Sequence, residues 1–312
     1  MPRFSVVIPL FNKEEFIKDS LNSVLFQTYK DFEIIIVNDC STDSSLNIVK
    51  QFTDNRIKII EHPKNKGLSA SRNTGIKIAN ADYIAFLDAD DLWKPDFLEK
   101  IDFLIESYPQ ASLFATKYEV LLKNNQILEH QFRIKDFNEH GIIPNFFENN
   151  LNQSIFYPSC LCVYKKVFES IGYYNESINY SEDVDFNIRS QANFKFAYLN
   201  EALVTYLRVS ENQITQGGLI GKTIPDYDFY EEKFKGRKDI KKYLDFQRFV
   251  KAKQCKLSGE TVRYHKLESK IDFKNLSTKQ IFLLKSPKII LQSATNFKLF
   301  LLKLGIEVTS YR

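Results

Sequence analysis

The chain has 312 residues, 26% charged and 44% hydrophobic, with a formal net charge of +4. That length builds one large or two ordinary domains. Four cysteines without Cys-x-x-Cys spacing and four histidines argue against a zinc site and a disulfide framework. No internal repeat or low-complexity segment is present, and no run reaches the roughly 20 apolar residues that span a bilayer. Met1-Pro-Arg leads directly into an apolar run, so no signal peptide is expected and the expected location is cytoplasmic.

In chain order, Phe4-Ser-Val-Val-Ile-Pro9-Leu predicts a buried strand. A helix carrying Phe16, Ile17, Leu21, Val24 and Leu25 at helical spacing follows it. Phe32-Glu-Ile-Ile-Ile-Val-Asn38-Asp39 is a second continuous apolar run. The loop Cys40-Ser-Thr-Asp43-Ser then caps a helix with Leu46 and Val49. Ile57 to Glu61 predicts a third strand, Gly67 to Gly75 opens another helix, and Tyr83 to Leu87 is a fourth strand. Strands without alternation, separated by helices, imply a parallel sheet covered on both faces. Ligands of such sheets sit at the carboxyl ends of the strands. Pro9 to Asn12, Asp39 and Asp88 to Asp91 all fall at those ends.

The fourth strand ends in Asp88-Ala-Asp90-Asp91, three carboxylates within four residues. Desolvating unpaired carboxylates costs several kcal/mol each. A hard divalent cation, Mg2+ or Mn2+, offsets that cost through oxygen ligands and would meet the diphosphate of a nucleotide-linked substrate. A polar loop whose Asp90 or Asp91 caps the next helix is the other reading. Further on, Tyr180-Ser-Glu182-Asp183 sets two carboxylates at a helix start behind Ser181. Helix N-termini favour acids by roughly 0.3–1 kcal/mol, so capping alone also accounts for the pair.

Taken together, Ser5-Val-Val-Ile-Pro-Leu-Phe-Asn, Ile36-Val-Asn-Asp-Cys-Ser-Thr-Asp, Asn65-Lys-Gly-Leu-Ser-Ala-Ser-Arg-Asn-Thr-Gly and Phe86-Leu-Asp-Ala-Asp-Asp resemble family 2 of the inverting glycosyltransferases. The order and spacing of the four motifs carry the resemblance, over roughly residues 4 to 215. It implies a GT-A fold, an α/β architecture with a mostly parallel sheet and flanking helices. It also implies a nucleotide-sugar donor, UDP-linked by preference. The donor residues would be Pro9, Phe11, Asn12, Glu14, Asp39, Arg72, Asp88, Ala89 and Asp90, with Asp88 and Asp90 holding Mn2+ or Mg2+. It assigns the general base to Asp183, with Glu182 beside it in the acceptor pocket. The chain departs from the family pattern at Asn38, where Asp is usual, and at Cys40, where Gly is usual. A turn needing positive φ is costlier for Cys40 than for glycine.

Asn73 and Gly75 are expected to shape backbone. Trp93 is either a packing residue or a sugar-stacking platform. Tyr157-Pro158-Ser159-Cys160 is a candidate lining of the acceptor side. Tyr206 to Gln213 resembles a stretch that often supplies a His ligand or phosphate contact; no His stands there, and Arg208 is the remaining phosphate candidate.

Residues 233–312 hold 20 Lys or Arg against 6 Asp or Glu, while residues 1–232 hold 23 against 33. A basic tail behind an acidic domain points to an anionic partner. Ile281 to Leu291 and Phe297 to Ile306 mix large apolar residues with lysines. They suit helices lying on an anionic membrane surface or packing as a small helical subdomain. No nucleic-acid-binding motif is found. The expected division is a GT-A domain over 1–220 and a basic helical region over 221–312, near Gly217, Gly218 and Gly221.

The expected activity is transfer of one sugar, with inversion, to a hydroxyl of a glycan or lipid-linked acceptor in surface-polysaccharide assembly. The enzyme would then work at the inner face of the cytoplasmic membrane. A pyrophosphorylase or a dinucleotide-linked dehydrogenase needs a Gly-rich loop where this chain has Pro9-Leu-Phe-Asn12. A non-catalytic nucleotide-sugar- or carbohydrate-binding module of the same fold is the alternative; it would have no use for Asp183.

Overall fold

The computed structural model describes residues 1–303 other than 123, 130–133, 135–136, 152 and 209–217. The first half alternates strand and helix: β1 (Phe4–Leu10), α1 (Ile17–Leu25), β2 (Phe32–Asn38), α2 (Ser45–Val49), β3 (Ile57–Glu61), α3 (Leu68–Ile78) and β4 (Tyr83–Phe86). Next come β5 (Asp91–Trp93), α4 (Phe97–Ser107), β6 (Ala111–Leu121), β7 (Ile127–Glu129), β8 (His140–Ile142) and α5 (Phe146–Asn149). Then follow β9 (Leu161–Tyr164), α6 (Lys166–Ile171), α7 (Glu182–Gln191) and β10 (Lys195–Leu207). The helices α8 (Tyr227–Lys233), α9 (Lys238–Ser258), α10 (Thr261–Glu268), α11 (Thr278–Lys285) and α12 (Lys288–Lys303) complete the described chain.

The strands form one sheet in the order β3-β2-β1-β4-β9-β6-β10-β5, with β7 beside β6 and β8 beside β10. β1 lies between β2 and β4 and is parallel to both, and β3 continues parallel on β2. β6 and β10 are also parallel. β9 runs against β4 and β6, and β5 runs against β10, so the sheet is mostly rather than wholly parallel. β1 is buried along its whole length and β2 along nearly all of it, as strands covered on two faces must be. The carboxyl ends of β1, β2 and β4 therefore share one edge of the sheet.

Gly75 sets how closely α3 lies on β1. A Cβ there would stand 2.4 Å from Val7 Cγ1, so only glycine permits this approach. Asn73, buried on the same helix, donates from Nδ2 to the Tyr174 carbonyl at 2.9 Å. Its Oδ1 accepts from the Tyr174 amide at 2.9 Å. Both residues shape the backbone, as the sequence suggests.

The chain divides into two compact units, Met1–Pro144 with Phe156–Ser210, and Asn145–Ile155 with Glu211–Arg312. Residues 145–155 cluster with the C-terminal helices, a grouping the sequence pattern does not carry. Within the second unit, α9 buries Leu244, Phe249, Ala252 and Cys255. Phe147 of α5 meets Tyr243 at 5.3 Å between ring centres. Arg248 is fully buried there and pairs with Asp228, Glu231 and Asp245. No helix among the described residues is long and apolar enough to cross a membrane.

Candidate active site

The loops after β1 and β2 are stitched together. Asn12 takes a positive φ of 50° and accepts from the Thr42 amide at 2.8 Å. Glu14 accepts from the Ser44 amide at 2.8 Å, and the Glu14 amide donates to Asp43 at 3.0 Å. Cys40 has φ 63°, so the glycine slot keeps its left-handed backbone with a side chain in place. Pro9 is buried in β1 opposite Val37. Phe11 is 44% exposed at the loop tip.

Asp39 organises the following segment. Its Oδ1 accepts from His62 Nδ1 at 2.7 Å and the Lys66 amide at 2.8 Å, and its Oδ2 accepts from the Gly67 amide at 2.7 Å. His62 Nε2 meets Thr74 Oγ1 at 2.9 Å. His62, to which the sequence assigns no role, is thus the buried partner of a predicted donor residue.

The acidic loop at the end of β4 is built from both directions. The Asp88 amide donates to Ser159 Oγ at 3.0 Å, and that hydroxyl donates to Asp91 Oδ2 at 2.5 Å. The Ser159 carbonyl accepts from Trp93 Nε1 at 2.7 Å. The Ala89 carbonyl accepts from Ser20 Oγ at 2.9 Å, and Lys13 Nζ donates to Asp90 Oδ2 at 2.6 Å. Asp91 opens β5 instead of capping a helix, and α4 starts behind Asp96. Trp93 is buried and stacks on Phe97 at 4.2 Å between ring centres, which leaves the packing role and removes the sugar-stacking one. Ser159 is fully buried as the brace of this loop rather than an acceptor-side lining. Burial, with the repulsion of Asp90 and Asp88, pushes the Asp91 carboxyl well above the usual range. Burial and Asp90 also raise Asp88, while Arg72 pulls it back.

Arg72 is the connecting piece. Its side chain is 1% exposed, with Nη2 on Asp88 Oδ1 at 2.8 Å and Nη1 on Glu182 Oε1 at 2.9 Å. The guanidinium lies 5.4 Å from the centre of the Tyr174 ring, and its Nε is buried without a hydrogen-bond partner. Burial opposes its charge, but Asp88, Tyr174 and Glu182 outweigh burial and raise its pKa further. One fully charged fork therefore ties the acidic loop to the first residue of α7.

At that helix start Ser181 adopts a left-handed φ of 63° and makes no side-chain capping bond. Such backbone is sparsely populated by non-glycine residues and collects at functional sites. Glu182 is buried; burial and Asp183 raise its pKa against the pull of Arg72. Asp183 is half-buried and forms no hydrogen bond or ion pair among the described residues. Asp185, in the same first turn, is committed to Arg189 at 2.8 Å. Arg208 is half-buried just after β10, and Asn212 and Gln213 lie outside the described residues.

No three His, Cys, Asp or Glu side chains converge as a metal cage among the described residues. Asp88 and Asp90 nevertheless fit a hard divalent cation. Their mutual repulsion leaves the loop short of positive charge, and the Lys13 ammonium already stands on Asp90. Two carboxylates plus substrate phosphates is the usual manner in which Mg2+ is held.

A sheet whose strand ends gather an acidic loop, an interlocked pair of loops and a carboxylate-bearing helix defines a nucleotide-sugar transferase fold. The chain belongs to glycosyl transferase family 2, whose family model matches residues 5–172. Glycosyltransferase GlyA of Streptococcus pneumoniae is 31% identical over 223 residues, 65% of this chain and 30% of that protein. The putative teichuronic acid biosynthesis glycosyltransferase TuaG of Bacillus subtilis is 42% identical over 108 residues, 34% of this chain and 43% of that protein. The Escherichia coli UDP-Glc:alpha-D-GlcNAc-diphosphoundecaprenol beta-1,3-glucosyltransferase WfgD is 37% identical over 125 residues, 40% of this chain and 48% of that protein. The chain thus spans less than half the length of these curated relatives. The crystal structure of S. aureus TarS 1-349 with UDP-GlcNAc superposes with a TM-score of 0.59 at 18% identity, over 88% of this chain and 89% of that one. This likeness bears out the GT-A architecture.

Proposed function

We propose that the protein transfers one sugar from a UDP-linked donor to a hydroxyl of a glycan or lipid-linked acceptor, with inversion, during surface-polysaccharide assembly. The observation that carries this reading is the Asp88–Arg72–Glu182 chain, which joins the acidic loop to a helix bearing the uncommitted carboxylate of Asp183. Donor recognition falls to the edge formed by Pro9, Phe11, Asn12, Glu14, Asp39, Asp88, Ala89 and Asp90. Asp88 and Asp90 would hold Mn2+ or Mg2+, which, when bound, would supply positive charge against that developing on the leaving diphosphate. Asp183 takes the proton of the acceptor hydroxyl as its oxygen attacks the anomeric carbon from the face opposite the diphosphate. One in-line displacement requires no covalent intermediate. Glu182, held by Arg72, fixes the backbone that carries Asp183.

The similarity to WfgD, a UDP-Glc:alpha-D-GlcNAc-diphosphoundecaprenol glucosyltransferase, supports the choice of UDP and of a lipid-borne acceptor. The complex of TarS with UDP-GlcNAc supports the donor class. Calorimetric titration of UDP with and without Mn2+ tests the donor edge. Asp90→Asn is expected to abolish the manganese-dependent part of the affinity, and full retention would refute the metal role.

A further inference from the structure

The helical unit carries one surface that its own packing does not use. α12 packs on α9, and among its described residues Leu291 is buried, 1% exposed. At 3.6 residues per turn, Ile289, Ile290, Phe297 and Phe300 fall in one sector of about 100° on the opposite side of the helix. They are 79%, 45%, 61% and 55% exposed, and Phe282 on α11 adds a further 63% exposed ring. Single exposed apolar residues are ordinary, but four on one helix face, two on either side of Ser293, point to an interaction site.

Charge selects the partner. Residues 273–306 contain six lysines, at 274, 279, 285, 288, 298 and 303, and no aspartate or glutamate. Lys285 reaches Glu268 at 2.9 Å, whereas Lys279 and Lys288 are exposed. Lys298 and Lys253 are near enough that each charge opposes the other. A second copy of this chain would bring the same positive field against itself, which opposes self-association. A surface of anionic headgroups over an apolar layer matches both features together.

We propose that α12 docks by its Ile289–Phe300 face on an anionic lipid surface. The four apolar side chains enter the interfacial layer, and the flanking lysines meet headgroup phosphates. The helix, 16 residues long, lies along the surface rather than crossing it. The inference deepens the proposed function only in its lipid-borne acceptor, which such a surface would present.

The test is co-sedimentation of the full chain with phosphatidylcholine vesicles, with and without phosphatidylglycerol. Neither donor nor acceptor is added, so failure here leaves the transfer reading standing. Binding is expected to be at least about tenfold stronger with phosphatidylglycerol and to weaken with salt. Phe297→Ser combined with Phe300→Ser should cut it about tenfold with an unchanged melting temperature, since the side chains removed are exposed. Lys279→Gln combined with Lys288→Gln should reduce the dependence on phosphatidylglycerol. Absent binding to either vesicle, or binding untouched by the phenylalanine pair, overturns the proposal. So does a dimer in sedimentation equilibrium that the phenylalanine pair dissociates, since the face would then belong to a second copy.

Discussion

The two units handle charge in opposite ways. In the sheet unit several charges of the candidate site have named partners: Arg72 has Asp88 and Glu182, Lys13 has Asp90, and Asp39 accepts from His62 and two backbone amides. Among the described residues of the helical unit Arg248 forms such a network, and the unit as a whole carries a surplus of lysine. Paired charge fixes geometry, because each partner left alone in a low-dielectric interior is costly. Unbalanced charge at a surface fixes nothing locally and instead attracts a counter-charge from outside. Among the described residues Asp183 is an acid left uncommitted beside one, Glu182, that is tightly held.

Breaking the pairing in the sheet unit should have the largest effect on stability. Arg72→Met leaves the buried Glu182 and the half-buried Asp88 without their cation and should cost about 3 kcal/mol in urea unfolding, because breaking a buried pair strands its partners. A loss below about 1 kcal/mol would mean that Asp88 and Glu182 are held by other groups. Gly75→Ala acts one step back, on the helix that delivers Arg72. Its new Cβ meets Val7 Cγ1 at 2.4 Å. Overpacking should cost about 1–3 kcal/mol, partly offset by the better helix propensity of alanine. A more stable Gly75→Ala variant would show that β1 and α3 separate freely.

The smallest effect belongs to the helical unit and sharpens the contrast. Burial, with the nearby charge of Lys298, brings Lys253 down to about 8. The unfolded lysine titrates near ~10.4, so between these values the unfolded chain holds a proton that the folded chain has released. Stability from this group therefore rises with pH across that window and is least at neutral pH and below. Lys253→Met should melt slightly higher than the parent at pH 7, and the gap should close as pH rises from about 8 to 10.5. A pH-independent gap would assign the effect to packing.

The first half of the fold was legible because its strands are unbroken apolar runs ending at polar loops. The left-handed backbone at Cys40 followed from a glycine position filled by another residue. The Asp88–Asp91 cluster announced itself by density of charge. Partners were less legible. Arg72 looks like any surface arginine until α3 is laid on β1, since the contact to Glu182 spans 110 residues. Ser159 and His62 act through single hydrogen bonds to distant acids, and Lys13 through one ion pair, none of which leaves a local pattern. The reversal of β9 is likewise hidden, because a short buried strand has the same composition in either direction.

Sugar transfer and donor affinity measured side by side in Asp183→Asn test the central claim most directly. A panel of UDP-, GDP-, dTDP- and CMP-sugars is assayed for manganese-dependent nucleotide release with a polyprenyl-diphosphate sugar as acceptor. The account predicts release from one donor by the parent chain. It predicts a loss of roughly 10²–10⁴-fold in the variant, the usual worth of a general base, with donor affinity changed no more than a few-fold. Undiminished transfer by Asp183→Asn would contradict it.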